Sequence, residues 1–227
     1  MCNCVSRVSL EIQTSQKVET MRTVIIDYGM GNISSIRNML RYLGYSAILS
    51  YEQEEILSAD RLIFPGVGNF GMAMENIENR NLRGILNEAV LDKKIPILGI
   101  CLGMQLMMSW SEEGNCDGLG WISGRVNKFN LDTSDYKIPH MGWDYIGVVQ
   151  KCKLLRALPK DPRFYFVHSY YVVCENTDES IAVTDYGGNF TSIIGRDNIF
   201  GVQFHPEKSH KFGMKIFDNF MRMYDVP

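Results

Sequence analysis

From residue 21 onward, short apolar runs recur along the chain. Each ends in a turn and is followed by apolar positions at helical spacing. The run at 23–26 leads into Tyr28-Gly29-Met30-Gly31. Next come Ile33, Ile36, Leu40 and Leu43, spaced by three and four and closed by Gly44, which predicts a strand, a turn and a helix. A second strand is predicted at 46–49. A third, at 62–64, runs into Pro65-Gly66-Val67-Gly68, and helical text fills 69–93. A fourth strand at 95–100 ends at Cys101, where a helix over 102–110 begins. Strand–helix alternation with strands this apolar predicts a parallel sheet covered by helices on both faces.

Past about residue 120 the pattern changes. Segments at 125–129, 145–149, 163–173, 181–184, 191–196 and 199–204 read as strands separated by Asn, Asp, Gly and Pro. They predict antiparallel strands and hairpins in the C-terminal half. A final amphipathic helix carries Phe212, Ile216, Phe217, Phe220 and Met221. With no repeat and no linker, residues 21–227 form one predicted α/β domain. Residues 1–20 are polar and aperiodic and are expected to be a disordered N-terminal extension, with Met21 a candidate start.

Composition narrows the class. The 227 residues are 45% hydrophobic and 22% charged, an ordinary globular balance. With 23 basic against 26 acidic residues the net charge is −3, so nothing points to nucleic acid or an anionic membrane. No apolar run approaches the roughly 18 residues of a membrane helix, and the first residues lack the apolar core of a secretory signal. The cysteines at 2, 4, 101, 116, 152 and 174 are irregularly spaced, which points to reduced thiols and a cytoplasmic protein. Cys2 and Cys4 lack the other half of a zinc ligand set, and His205 and His210 are out of phase for a metal pair.

Three segments carry candidate chemistry. In Gly99-Ile100-Cys101-Leu102-Gly103 a cysteine sits where an apolar strand turns into a helix. Such a thiol stands at the carboxyl edge of the sheet, the helix dipole favours its thiolate, and the Leu102 amide can face a developing oxyanion. The pentapeptide alone fits a buried structural cysteine equally well. In His205-Pro206-Glu207 a histidine is followed by a carboxylate two residues on. If Pro206 holds the backbone extended, the two side chains share a face, as a base and its orienter would. Alone, this is as compatible with a surface turn. Taken together, the two segments favour a cysteine nucleophile with a histidine base. The glycines of Pro65-Gly66-Val67-Gly68 allow close backbone approach to a ligand and a second oxyanion amide. Asp27-Tyr28-Gly29-Met30-Gly31 has Ser34 where a dinucleotide turn would carry its third glycine, which argues against nucleotide binding.

The words PGVGNFGMAM at 65–74, GICLGMQLM at 99–107 and GVQFHPEKS at 201–209 stand in the order and spacing of the class I glutamine amidotransferases, which this chain resembles. DYGMGN at 27–32, SEEG at 111–114, GLGWISG at 118–124, PHMGWD at 139–144 and FVHSYYV at 166–172 make it most similar to the glutaminase subunits of the histidine pathway. The resemblance covers essentially everything from Met21. It implies a flavodoxin-like α/β fold: a mostly parallel sheet flanked by helices, with antiparallel strands in the C-terminal half. It implies a Cys101–His205–Glu207 triad that hydrolyses glutamine. Val67 and Leu102 would hold the oxyanion. Gly66, Gly68, Gln105, Glu113, His168, Ser169 and Tyr170 would bind the substrate. It also implies a (β/α)8-barrel cyclase partner in a heterodimer, docked at Met141, Gly142 and Trp143 and receiving the ammonia. It calls for no cofactor and no metal. One word departs from the family, which usually ends this interface segment in asparagine where this chain has Asp144. Paralogues of these subunits supply ammonia to an amidotransferase acting on N-acetyl sugars of surface polysaccharides, and Asp144 raises that alternative.

Overall fold

The computed structural model describes residues 21–132 and 134–223. The predicted N-terminal extension lies outside the described residues. The first half alternates strands and helices: β1 (Thr23–Ile26), α1 (Ile33–Tyr42), β2 (Ile48–Ser50), α2 (Gln53–Leu57), β3 (Arg61–Phe64), α3 (Phe70–Asn79), α4 (Leu82–Asn87), β4 (Ile97–Ile100) and α5 (Leu102–Gln105). The second half is mostly strand: β5 (Met108–Ser111), β6 (Cys116–Asp117), β7 (Ile122–Lys128), β8 (His140–Tyr145), β9 (Gly147–Val148), β10 (Arg163–His168), β11 (Tyr170–Cys174), β12 (Ser180–Asp185), β13 (Asn189–Arg196) and β14 (Ile199–Val202). Helix α6 (His210–Arg222) closes the chain.

Strands β2, β1, β3, β4 and β14 lie side by side and parallel. Their side chains alternate between two buried layers. Val24, Ile26, Leu62, Phe64 and Ile97 pack with Phe70, Ile77, Leu82 and Leu86 of α3 and α4. Ile25, Ile63, Leu98 and Ile100 pack with Ile36 and Leu40 of α1 and with Ile216, Phe217 and Phe220 of α6. Helices therefore cover both faces, as the apolar strands require. The sheet continues through β13, β11, β7, β5 and β6, with β12 paired to β13, while β8 and β10 form a separate antiparallel pair.

Several expectations are corrected. The helix predicted over 102–110 stops at Gln105, and Met108–Ser111 is a strand. The carbonyls of Leu106, Met107 and Met108 are taken by the amides of Leu119, Ile122 and Gly120, so they are unavailable for further helical turns. The helical text of 69–93 is two helices, separated where Asn81 adopts φ 55° and followed by a π-turn at Glu88–Asp92. Gln53–Leu57 is a short helix the pattern did not reveal. The 199–204 segment ends as a strand at Val202 and, although antiparallel to β13, runs parallel to β4. Pro206 does not hold its segment extended: Pro206–Lys208 is a 3-10 turn.

Candidate active site

The parallel pairing of β14 with β4 sets the site. Val202 lies opposite Ile100, and the Cys101 amide donates to the Val202 carbonyl at 2.8 Å. The residues just past both strands, Cys101 and His205, therefore leave the sheet at the same carboxyl edge, where ligands bind in open parallel sheets. Cys101 adopts φ 52° and ψ −109°, a conformation that costs about 1–3 kcal/mol for a residue with a side chain. This sharp turn is packed in place from behind. A Cβ on Gly103 would run into the Phe64 carbonyl, and one on Gly99 would lie 2.8 Å from the Gly103 oxygen.

Cys101 and His205 line one cavity of about 610 Å³. Val67, Gly68, Leu102, Gln105, Glu113, His168, Ser169 and Tyr170 line it with them, so most of the expected site residues converge. Gly66 does not line it. It sits behind the loop, where a Cβ would come within 2.7 Å of the Tyr28 hydroxyl, and its role is to let the loop approach the cysteine turn. Glu207 also lies behind the wall: its Oε1 is 2.8 Å from His205 Nδ1, with both side chains buried. The expected pairing is thus present, made across a 3-10 turn rather than along an extended segment.

With His205 Nδ1 taken by Glu207, the buried Nε2 is the ring nitrogen left to Cys101, whose charge and hydrogen bond both act on the imidazole. Burial pulls the His205 imidazole down, but the negative charge of Cys101 and the Glu207 contact outweigh it and lift the pKa to about 10. The Tyr28 hydroxyl, buried beside the site, is pushed strongly upward by burial and then by Cys101; it stays protonated and donates to the Pro65 carbonyl at 2.6 Å.

Several of the contacts that hold this geometry were not legible in the sequence. Asn32 donates to Glu207 Oε1 at 3.4 Å, and with Gly31 it lines the cavity, so the discounted glycine turn after β1 belongs to the site. Lys208 lines it as well. The Ser209 hydroxyl donates to the His205 carbonyl at 2.6 Å and fixes the turn. Gln203, fully buried, donates its amide to Cys101 Sγ at 3.6 Å. Gln105 Nε2 donates to Gln203 Oε1 and to the Tyr170 carbonyl, each at 3.0 Å, leaving its own Oε1 for a ligand. Glu113 Oε2 accepts from the Phe70 amide at 2.9 Å. For Gly31, Asn32, Gln203, Lys208 and Ser209 the available signal was position: they follow β1 or β14, apolar strands that run parallel to β4 and end at the same edge.

Met141, Gly142 and Trp143 do not join the cavity. They lie on β8, where Met141, Trp143 and Tyr145 are exposed on one side and His140 is buried on the other. Trp143 stacks on His210 at 5.3 Å. Among the described residues, no helix is long and apolar enough to cross a membrane.

The family model for glutamine amidotransferase class-I matches residues 24–223. A Methanococcus maripaludis protein named imidazole glycerol phosphate synthase subunit HisH 2 is 52% identical over 198 residues, covering 87% of this chain and 98% of the relative. The imidazole glycerol phosphate synthase subunit HisH of Leptospira interrogans is 47% identical, covering 86% and 97%. Among solved structures, the PurLQS complex from Thermotoga maritima contains a similar chain (TM-score 0.69, 16% identity, 90% and 99% covered). A glutamine amidotransferase from the same organism is also similar (TM-score 0.58, 17% identity, 92% and 86% covered). With a family model and near-full-length relatives in agreement, this chain belongs to the class-I glutamine amidotransferases, in the group of imidazole glycerol phosphate synthase HisH subunits.

Proposed function

We propose that this chain hydrolyses glutamine to glutamate and ammonia and passes the ammonia to a cyclase subunit that makes imidazole glycerol phosphate and an aminoimidazole carboxamide ribotide in histidine biosynthesis. The observation that carries this reading is the strained Cys101 sharing one cavity with His205, whose other ring nitrogen is held by buried Glu207.

The Cys101 sulfur, its proton held by His205 Nε2, attacks the side-chain amide carbon of glutamine. The amide oxygen becomes an oxyanion, held by the Leu102 amide and the Val67 loop. Leu102 opens α5, so its N–H has no acceptor within the helix. His205 then gives its proton to the departing nitrogen, ammonia leaves, and a glutamyl thioester remains. Water, deprotonated by His205, attacks the thioester; the C–S bond breaks, the thiol is restored and glutamate is released. Glu207 keeps the Nδ1 proton in place throughout, so Nε2 is always the exchanging atom. Free Oε1 of Gln105 and the Glu113 carboxylate suit the ammonium of the substrate.

Ammonia must reach its acceptor unprotonated, which is the reason for a docked partner. The exposed Met141, Trp143 and Tyr145 on β8 suit an apolar docking strip for a (β/α)8-barrel cyclase in a heterodimer. A second reading keeps the glutaminase and changes the partner to an N-acetyl sugar amidotransferase. It is favoured by the negative charge of Asp144 on that same strand. The test is glutamate release from glutamine by the chain mixed with the cyclase, with and without the formimino ribonucleotide. Release that depends on Cys101 and is stimulated by the ribonucleotide supports the first reading. A cyclase competent on free ammonia that gives no stimulation supports the second, and no release under any condition sinks both.

A further inference from the structure

From the cavity wall inward, two buried histidines form a chain the triad does not use. His168 Nδ1 lies 2.8 Å from the Tyr170 carbonyl oxygen, and His168 Nε2 lies 3.2 Å from His140 Nδ1. His140 Nε2 faces Asp144 Oδ2 at 3.5 Å. Both imidazoles are almost fully buried, and His140 is stacked between Phe166 and the Tyr186 ring.

We propose that His140 is a positioning residue for the glutamine pocket: its Nδ1–H, donated to His168 Nε2, locks the His168–Ser169–Tyr170 bend against which the substrate lies. This inference rests on the glutaminase reading.

The direction of each proton follows from the partners. Burial holds the His168 imidazole down to about 3, so it carries one ring proton at neutral pH. A carbonyl oxygen only accepts, so that proton sits on Nδ1. Nε2 of His168 is then an acceptor, and the proton between the rings belongs to His140 Nδ1. Burial lowers the His140 pKa, and Asp144, by its charge and its hydrogen bond, opposes that shift. The consequence reaches the cavity through one atom. The Tyr170 carbonyl that accepts from His168 also accepts from Gln105 Nε2, and Gln105 in turn holds Gln203, the amide donor to Cys101. Releasing His168 therefore loosens the wall made by residues 168–170 and the Gln105 anchor while leaving Cys101, His205 and Glu207 in place.

The test compares His140→Phe with His140→Asn in the full chain assembled with its cyclase. Phenylalanine keeps the ring between Phe166 and Tyr186 and loses both nitrogens. Asparagine presents an N–H near the position of Nδ1. His140→Phe is expected to raise the KM for glutamine about fivefold or more, the scale of one hydrogen bond, with kcat within about twofold. His140→Asn is expected to restore a KM near that of the unsubstituted chain. Long-range proton–nitrogen spectra at neutral pH are expected to show His168 protonated only on Nδ1 and His140 protonated on Nδ1. An unchanged KM in His140→Phe, an equal rise in both variants, or a proton on His168 Nε2 would overturn the proposal. If the unsubstituted complex releases no glutamate, the glutaminase reading fails by itself, and the spectra still judge the proton order.

Discussion

Gln203 places its side-chain amide 3.6 Å from the Cys101 sulfur while being wholly buried and accepting from Gln105. A buried amide needs an acceptor, so this contact and the one from Gln105 hold Gln203 against the sulfur. Gln203→Met keeps the bulk and removes both polar links, so it leaves Gln105 Nε2 short of an acceptor. The expected result is a fall in kcat/KM of about tenfold or more, at the cost of roughly 1–3 kcal/mol in stability. Steady-state kinetics and urea denaturation check the two parts.

Glu207 touches His205 but does not line the cavity, so its effect falls on turnover rather than on binding. In Glu207→Gln the shape is kept and the charge that holds the imidazole is lost. We expect kcat to fall about 10²-fold or more, the scale of general acid–base assistance, with KM little changed. A KM effect equal to the kcat effect would show that the carboxylate acts on substrate directly.

The raised His205 pKa has a sign that can be tested. Burial lowers it, and the charge of Cys101 with Glu207 lifts it to about 10 from an ordinary 6.5. Removing the sulfur in Cys101→Ala leaves burial opposed by Glu207 alone, so an NMR titration should find the imidazole pKa well below that of the parent protein. The linked stability follows the same sign. The protonated imidazole contributes fully below about pH 6.5 and its contribution is lost as the pH rises through about 10. In Cys101→Ala that loss should set in at lower pH, read from denaturation midpoints across the range.

Trp143 is exposed on β8, stacked on His210, with the Arg163 guanidinium 5.8 Å from its ring centre. A large aromatic so placed suits the centre of a protein interface. Trp143→Ala should weaken binding of the cyclase by about 2 kcal/mol or more, near thirtyfold. Titration calorimetry with the purified partner measures it, and an unchanged affinity would move the docking surface away from this strand.

Much of this was legible in the chain itself. The apolar runs at 23–26, 62–64 and 95–100 read as strands buried on both sides, and the glycines around Cys101 mark a turn too tight for larger residues. Those are local facts, carried by periodicity and by the room each residue needs. The helix expected beyond Gln105 failed because its carbonyls bond to residues 119–122, a choice that depends on how a later loop folds back. Which loops share an edge was also invisible locally. His205 is separated from Cys101 by the whole antiparallel half of the chain, and only the parallel pairing of β14 with β4 brings the two together. The roles of Asn32 and Gln203 and the contact between His140 and His168 escaped notice because such nonlocal contacts leave no local pattern. Sequence alone determined which residues could carry the chemistry and where the chain turns. The register of distant strands decided which of them meet, because the nonlocal hydrogen bonds that set register leave no local period to read.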